Sequence, residues 1–113
     1  MKISRTLEQG IRYIYPDTTL EESLKDMVLS EIKRKLLSFE VIDAQYKRKY
    51  KMEFEGFYKN KIEDKTPSFD EEEDYFNWEM AVTGIKELTK ELKNLTKEKE
   101  ISILKNFLKK LKQ

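Results

Sequence analysis

The sequence predicts an all-α protein, a small helical bundle built on two long antiparallel helices with short flanking helices. Apolar residues recur every three or four positions along most of the 113-residue chain, which is the period of one side of an α-helix. Helix-capping residues and helix breakers separate these stretches, and no stretch alternates apolar and polar residues as a half-buried β-strand does. The length corresponds to a single domain.

The first predicted helix spans residues 1–15. One side of it carries four apolar residues: Ile3, Leu7, Ile11 and Ile14. Gly10 lowers the helical propensity, and Pro16 ends the helix because proline lacks the backbone N–H that a helix interior requires. This segment is therefore predicted to be a short helix that flanks the bundle.

The second predicted helix, over residues 19–50, is the longest. It begins at a capping box formed by Thr19 and Glu22, whose side chains can each bond a free N–H group of the first turn. Its apolar side comprises Leu20, Leu24, Met27, Val28, Ile32, Leu36, Phe39, Ile42, Tyr46 and Tyr50. At 1.5 Å per residue it would be about 45 Å long, which is more than a compact domain of this size needs. We therefore expect a second copy of the chain to cover the excess in a homodimer.

A short helix is predicted next, over residues 53–62. Phe54 and Phe57 within it can fold back toward the core, although Gly56 weakens the helix. The residues that follow, around Pro67, form the clearest loop because proline and the residue before it disfavour helical backbone. This loop separates the first half of the bundle from the second.

A second long helix, over residues 70–95, has an acidic start and an aromatic face. Asp70 can cap it, and the acids that follow lie where the helix dipole favours negative charge. Its apolar side comprises Tyr75, Trp78, Val82, Ile85, Leu88, Leu92 and Leu95. Because Asn94 and Thr96 are poor helix formers, we expect a break there and a separate basic amphipathic helix over residues 98–112.

Composition argues against several kinds of site. The chain contains no cysteine and no histidine, which argues against disulfides, thiol catalysis, histidine general bases and the usual zinc ligands. Its 23 basic and 22 acidic residues balance, so no overall field attracts nucleic acid. No run approaches the roughly 20 apolar residues of a membrane span, and the N-terminal segment lacks the apolar core of a signal peptide. We expect a cytoplasmic protein without a cofactor, and its bias toward lysine and glutamate is typical of thermophiles.

Two pairs of carboxylates suggest one enzymatic function. Glu40 and Asp43 lie one helical turn apart, as do Glu71 and Asp74, and this spacing can bind Mg²⁺. All-α nucleotide pyrophosphohydrolases use acidic pairs of this kind on adjacent helices. Helix capping explains the second pair equally well, and a Glu-Glu-x-x-Glu motif is missing. We therefore expect no metal site and no catalytic residue.

Exposed aromatic and charged residues are the candidates for binding a partner. Three large rings within four residues cannot all point into one core groove, and aromatic residues are favoured at binding hot spots. The first candidate surface comprises Tyr75, Phe76, Trp78 and Glu79. The second is the basic strip of Lys47, Arg48 and Lys51. Core packing also explains the rings, and tyrosines interleaved with basic residues also suit stacking on single-stranded nucleic acid.

The order of these segments resembles that of a known class of proteins. The capped helix is followed by YKRKYKMEFEGF over residues 46–57, a proline-containing linker, and DEEEDYFNWEMA over residues 70–81. This arrangement is similar to small, charge-rich helical proteins of archaea and bacteria, which include proposed antitoxins encoded beside a toxin. Those relatives usually carry glycine between the tyrosine and the methionine of the turn, where this chain has Lys51. The resemblance covers residues 19–95 and identifies no catalytic residue.

We therefore expect a non-enzymatic protein-interaction module, similar to an antitoxin, whose partner is a cognate protein such as a toxin. A second hypothesis is a structural helical protein that associates with itself. Two further hypotheses are a nucleic-acid-binding protein and a Mg²⁺-dependent enzyme similar to the all-α nucleotide pyrophosphohydrolases.

Overall fold

The computed structural model describes residues 3–111, except for the side chains of residues 98–108 and 111. Helices account for most of this part of the chain, and it contains no β-strand. In chain order the elements are α1 (Arg5–Ile14), α2 (Leu20–Tyr50), α3 (Phe54–Phe57), a π-helical turn (Tyr58–Ile62) and α4 (Phe69–Leu111). The prediction of an all-α fold is confirmed.

The helix α1 is a short element that packs on α2. The Ser4 hydroxyl caps it by accepting the backbone N–H of Leu7 at 3.2 Å. Its last hydrogen bond joins the Tyr15 N–H to the Ile11 carbonyl, immediately before Pro16. Ile11 is the buried residue of this helix. The chain can therefore turn after residue 15 and begin α2 a few residues later.

Two unlike caps define the ends of α2. At the start, the Thr19 hydroxyl accepts the N–H of Glu22 at 3.2 Å, as the sequence indicates. Ser23 is buried one turn later and donates its hydroxyl to the Thr19 carbonyl at 3.0 Å. At the other end, Lys51 adopts the left-handed conformation, with φ of 56° and ψ of 38°. The chain thus makes a left-handed helix stop with a lysine at the position that glycine usually favours.

Replacing Lys51 by glycine is expected to raise the free energy of unfolding by about 1 kcal/mol. A β-carbon in the left-handed region approaches the neighbouring carbonyl oxygen, and glycine avoids this contact. Urea unfolding measures the change. The matched variant Lys51→Ala keeps the β-carbon and loses only the exposed remainder of the side chain, so no comparable gain is expected. Equal stability of the two variants would contradict this explanation.

The helix α4 begins earlier and continues further than the sequence indicates. Ser68, rather than Asp70, caps it: the Ser68 hydroxyl accepts the N–H of Glu71 at 3.1 Å, and the Glu71 carboxylate accepts the N–H of Ser68 at 3.0 Å. The predicted break at residues 94–96 is wrong, because α4 is continuous to Leu111. The Thr96 hydroxyl bonds the Leu92 carbonyl within the helix, which satisfies the threonine there. The apolar side predicted for residues 98–112 lies outside the described side chains.

The core lies between α2 and α4, which pack against each other. Its buried members include Ile32 and Leu36 from α2 and Trp78 and Ala81 from α4. The helices approach closely at Gly84, where an added β-carbon would lie 2.5 Å from Cε2 of Phe39. A β-carbon at this position would clash with the Phe39 ring, and glycine avoids the clash. No helix within the described part of the chain is long and apolar enough to cross a membrane.

Candidate protein-interaction site

An aromatic cluster surrounds Trp78 at the end of α2 and fixes the rotation of α4. The Trp78 side chain is fully buried. Its ring centroid lies 5.2 to 6.1 Å from the centroids of four other rings: Tyr46, Tyr50, Phe54 and Phe57. Phe57 is also fully buried. The short segment after α2 therefore folds its rings back onto α4, as the sequence predicts for residues 53–62.

A carboxylate on α2 holds the indole of Trp78. The Trp78 Nε1–H donates to Oδ1 of Asp43 at 2.7 Å, and Oδ2 of Asp43 lies 3.2 Å from the Lys47 ammonium. Lys47 also pairs with Glu53 at 3.0 Å. The hydrogen bonds from Glu53 and then Asp43 raise the pKa of Lys47. The position of Asp43 therefore has a structural explanation, namely its hydrogen bond to the buried Trp78. Lys47 forms ion pairs with two carboxylates of the same chain.

A second carboxylate joins α4 to the end of α2. Asp74 Oδ2 accepts the Tyr50 hydroxyl at 2.5 Å and the Lys49 ammonium at 2.6 Å. Burial opposes ionisation of Asp74, but the hydrogen bonds from Lys49 and Tyr50 outweigh it and lower the pKa of the carboxyl. Burial and then the bond to Asp74 raise the pKa of the Tyr50 hydroxyl. The fold therefore favours an ionised Asp74 beside a neutral Tyr50.

Stability is expected to depend on pH through Asp74. A carboxyl whose pKa is lower in the folded chain stabilises the fold above its unfolded pKa of about 3.9, and this contribution is lost as the pH falls through the folded pKa. Asp74→Asn is therefore expected to be less stable than the natural chain at pH 7, with a gap that closes as the pH falls toward about 2. Urea unfolding at several pH values measures the gap. A gap that stays constant across this range would contradict the assignment.

The rings of the first candidate surface have three different environments. Trp78 lies in the core, so the prediction that it offers exposed surface to a partner is wrong. Tyr75 is half-buried between the rings of Phe54 and Tyr58, and a hydrogen bond to Glu79 raises the pKa of its hydroxyl. Phe76, by contrast, is 60% exposed. Phe76 is therefore the ring at the surface, with Glu79 exposed one turn further along.

An open groove of about 950 Å³ runs from Phe76 along α4. Four of its α4 residues form an apolar row at intervals of four: Phe76, Met80, Gly84 and Leu88. A parallel row at the same interval is mostly acidic: Glu79, Thr83, Glu87 and Glu91. Lys35, Ser38 and Phe39 of α2 and Lys90 of α4 complete the lining. The sequence prediction included Phe76 and Glu79 but missed the rest, although intervals of four from Phe76 and from Glu79 were the signals for the two rows.

The basic strip has less free surface than its sequence suggests. Lys47 is paired with two carboxylates, whereas Arg48 and Lys51 are exposed. The rings of Tyr46 and Tyr50 beside the strip stack on Trp78. Stacking on nucleic acid needs free ring faces. Two of the tyrosines considered for that role are therefore engaged within the chain.

Three of the four carboxylates considered for Mg²⁺ binding are hydrogen-bonded within the chain, and the fourth is exposed to solvent. Asp43 and Asp74 accept hydrogen bonds from core side chains, and Glu71 caps α4. Glu40 is exposed on α2. Among the described residues, no group of three or more acidic, cysteine or histidine side chains is arranged to hold a metal ion. The groove therefore offers the better candidate for a binding site.

Comparison with protein-family models, curated proteins and solved structures finds no match to this chain. The resemblance to antitoxin-like proteins therefore stays a prediction. The candidate site rests on its own geometry, which consists of an exposed phenylalanine, an apolar row and an acidic row on one side of α4.

Proposed function

We propose that this chain is a non-enzymatic protein-interaction module that binds a partner protein in the groove along α4. The observation that carries the proposal is the exposure of Phe76 and Met80, one turn apart, at 60% and 54%. Large apolar side chains grouped at the surface are typical of protein-binding sites, and aromatic residues are favoured among the residues that dominate binding energy. The groove around them is open along its length, as a protein segment requires.

The scaffold that presents the groove is a bundle in which α2 and α4 run antiparallel. Three contacts support this direction: as the residue number decreases along α2, the number of the residue that it contacts in α4 increases. Tyr50 contacts Asp74, Asp43 contacts Trp78, and Phe39 contacts Gly84. With the intervening segment joining the helices at one end, such a pair presents a rigid surface.

An antitoxin-like role fits the charge of this surface. Asp70, Glu72 and Glu73 are exposed at the start of α4, beside Phe76. A negative surface accelerates association with a basic partner, and a basic nucleic-acid-cleaving toxin would be a partner of this kind. The support for the toxin as partner is this charge together with the sequence resemblance. In this proposal the groove supplies the apolar contacts, and the acids increase the association rate.

Cross-linking followed by affinity measurement tests the proposal. A photoreactive amino acid at position 76 is expected to capture a specific protein in the native host, whereas the same group at Tyr13, which is 89% exposed on α1, is not. With the captured protein purified, Phe76→Ser is expected to weaken binding by about 2 kcal/mol or more, with little change in thermal stability. Tyr13→Ser is the matched control and is expected to leave binding unchanged.

The results that contradict the proposal are distinct. Equal capture at positions 76 and 13 would remove the groove as the site. A purified partner that binds Phe76→Ser and the natural chain equally would do the same. Loss of the fold in Phe76→Ser would instead show that this ring is structural, in contrast to its exposure.

Self-association is the second candidate, and a different surface favours it. Leu37 and Val41 lie one turn apart on the side of α2 away from α4, and they are 64% and 49% exposed. A twofold axis between Leu37 and Val41 would place Leu37 of one copy on Val41 of the other, with Lys33 and Glu40 along one flank. Sedimentation equilibrium should then show a dimer that Leu37→Glu dissociates. A monomer at high micromolar concentration would exclude this homodimer.

A further inference from the structure

We propose that the element that occupies the groove is an amphipathic α-helix whose apolar stripe is flanked by lysine or arginine. This inference rests on the proposed function and specifies the chemistry of the partner. It follows from the spacing of the two rows on α4, from the gap in the apolar row at Gly84, and from the segregation of charge along α4.

The spacing of the rows suits a helix. Side chains at intervals of four form ridges inclined to the helix axis, and the ridges of a second helix fit between them at a crossing angle of about −50°. The apolar row from Phe76 to Leu88 and the acidic row from Glu79 to Glu91 are two such neighbouring ridges. Each spans about 18 Å at 1.5 Å per residue, or a little over three turns. An extended strand would find no free backbone partners here, because the groups of α4 are bonded within the helix.

Gly84 creates a notch in the apolar ridge. It contributes no side chain between Met80 and Leu88, and the Phe39 ring from α2 lies directly beneath the missing β-carbon. A notch with an aromatic floor and apolar walls can receive one branched aliphatic or aromatic side chain of an incoming helix. Side chains one turn before and after it would then contact Met80 and Leu88. The partner helix therefore needs apolar residues at intervals of three or four.

The charges around the groove select the flanks of that helix. The groove lining contains three glutamates and two lysines, and three further acids are exposed at the start of α4 beside Phe76: Asp70, Glu72 and Glu73. Glu87 and Glu91 form no ion pair with the described side chains, whereas Glu79 accepts a hydrogen bond from Tyr75. Lys35 and Lys90 also line the groove, so an acidic flank could find partners only at those two points. The excess of carboxylates favours a basic partner.

Two model peptides test this chemistry on the full chain. Both are 18-residue amphipathic helices with leucines at intervals of three and four, and they differ only in carrying lysine or glutamate on the flanks. Fluorescence anisotropy is expected to show the lysine peptide binding at least tenfold more tightly, with a preference that shrinks in about 0.5 M salt because ions screen exposed charges. The double variant Phe76→Ser and Met80→Ser should weaken binding at least tenfold, and Tyr13→Ser should not. Glu87→Lys with Glu91→Lys should reverse the preference between the peptides.

Equal binding of the two peptides, or no binding of either, would overturn the inference. Binding unaffected by the double serine variant would do so as well, since the peptide would then lie elsewhere on the acidic surface. These failures are distinguishable from failure of the proposed function. A purified partner whose binding requires Phe76, but which presents no basic helix, would support the groove as a protein-binding site. It would overturn only the inference that the bound element is a basic amphipathic helix. Absence of any partner at position 76 would overturn the proposed function whatever the peptides do.

Discussion

Replacement of Trp78 by alanine is expected to lower the free energy of unfolding by about 3–5 kcal/mol, a large part of the stability of a small domain. The side chain is fully buried, and four aromatic rings surround it. Alanine would leave a cavity that the rigid rings cannot fill, and it would remove the N–H that Asp43 accepts at 2.7 Å. Urea unfolding followed by circular dichroism measures the loss.

A second variant at the same position separates the cavity from the hydrogen bond. Trp78→Phe retains most of the ring volume but leaves Asp43 without the indole donor. It is expected to lose less than Trp78→Ala, about 1–3 kcal/mol, because Lys47 still pairs with the carboxylate. Equal loss in the two variants would show that the hydrogen bond, and not the packing, dominates at this position. A loss below about 1 kcal/mol for Trp78→Ala would contradict its place in the core.

The second large effect is expected at Phe57, where alanine should lower the free energy of unfolding by about 3–5 kcal/mol. Phe57 is fully buried, and its ring centroid lies 4.4 Å from that of Tyr50 and 5.2 Å from that of Trp78. It is also the main buried anchor of the short segment between α2 and α4. Its loss is therefore expected to release residues 54–62 from the core as well as to create a cavity.

Phe69→Ala is the matched control for this prediction. It makes the same chemical change at a residue that is 78% exposed at the start of α4, so a change within about 0.5 kcal/mol is expected. Thermal melting of both variants, with proteolysis to detect release of the segment, makes the comparison. Similar losses in the two variants would mean that helix propensity, and not burial, determines the result.

Local signals predicted most of the helical architecture. Thr19 caps α2 where the sequence places it, because a side-chain cap depends on neighbours within three residues. The errors have equally local reasons. Ser68 forms a reciprocal pair with Glu71 that competes with Asp70 as the cap, and Thr96 satisfies its hydroxyl inside α4 instead of ending the helix. Helix propensity alone therefore determines neither where α4 begins nor whether it continues past Thr96.

The candidate site was harder to predict because it depends on the rotation of α4 about its axis. The sequence indicates that one ring of the group at positions 75–78 must reach the surface. The outermost ring, Phe76, is determined by contacts from distant parts of the chain, chiefly the carboxylate of Asp43 on the indole of Trp78. One local signal was present, since Trp78 lies on the apolar stripe of its helix and Phe76 does not. Gly84 gave no comparable signal, because its importance comes from the ring of Phe39.

The position of the aromatic cluster has a consequence for the order in which the chain folds. The cluster joins the end of α2 to the start of α4, and only a short segment separates Tyr50 from Phe69. Closing a short loop loses little chain entropy, so these contacts can form before the more distant parts of α2 and α4 meet. The two long helices can then pair progressively away from the cluster, toward α1. We expect local opening to follow the reverse course, beginning at the end that carries α1 and reaching Trp78 last.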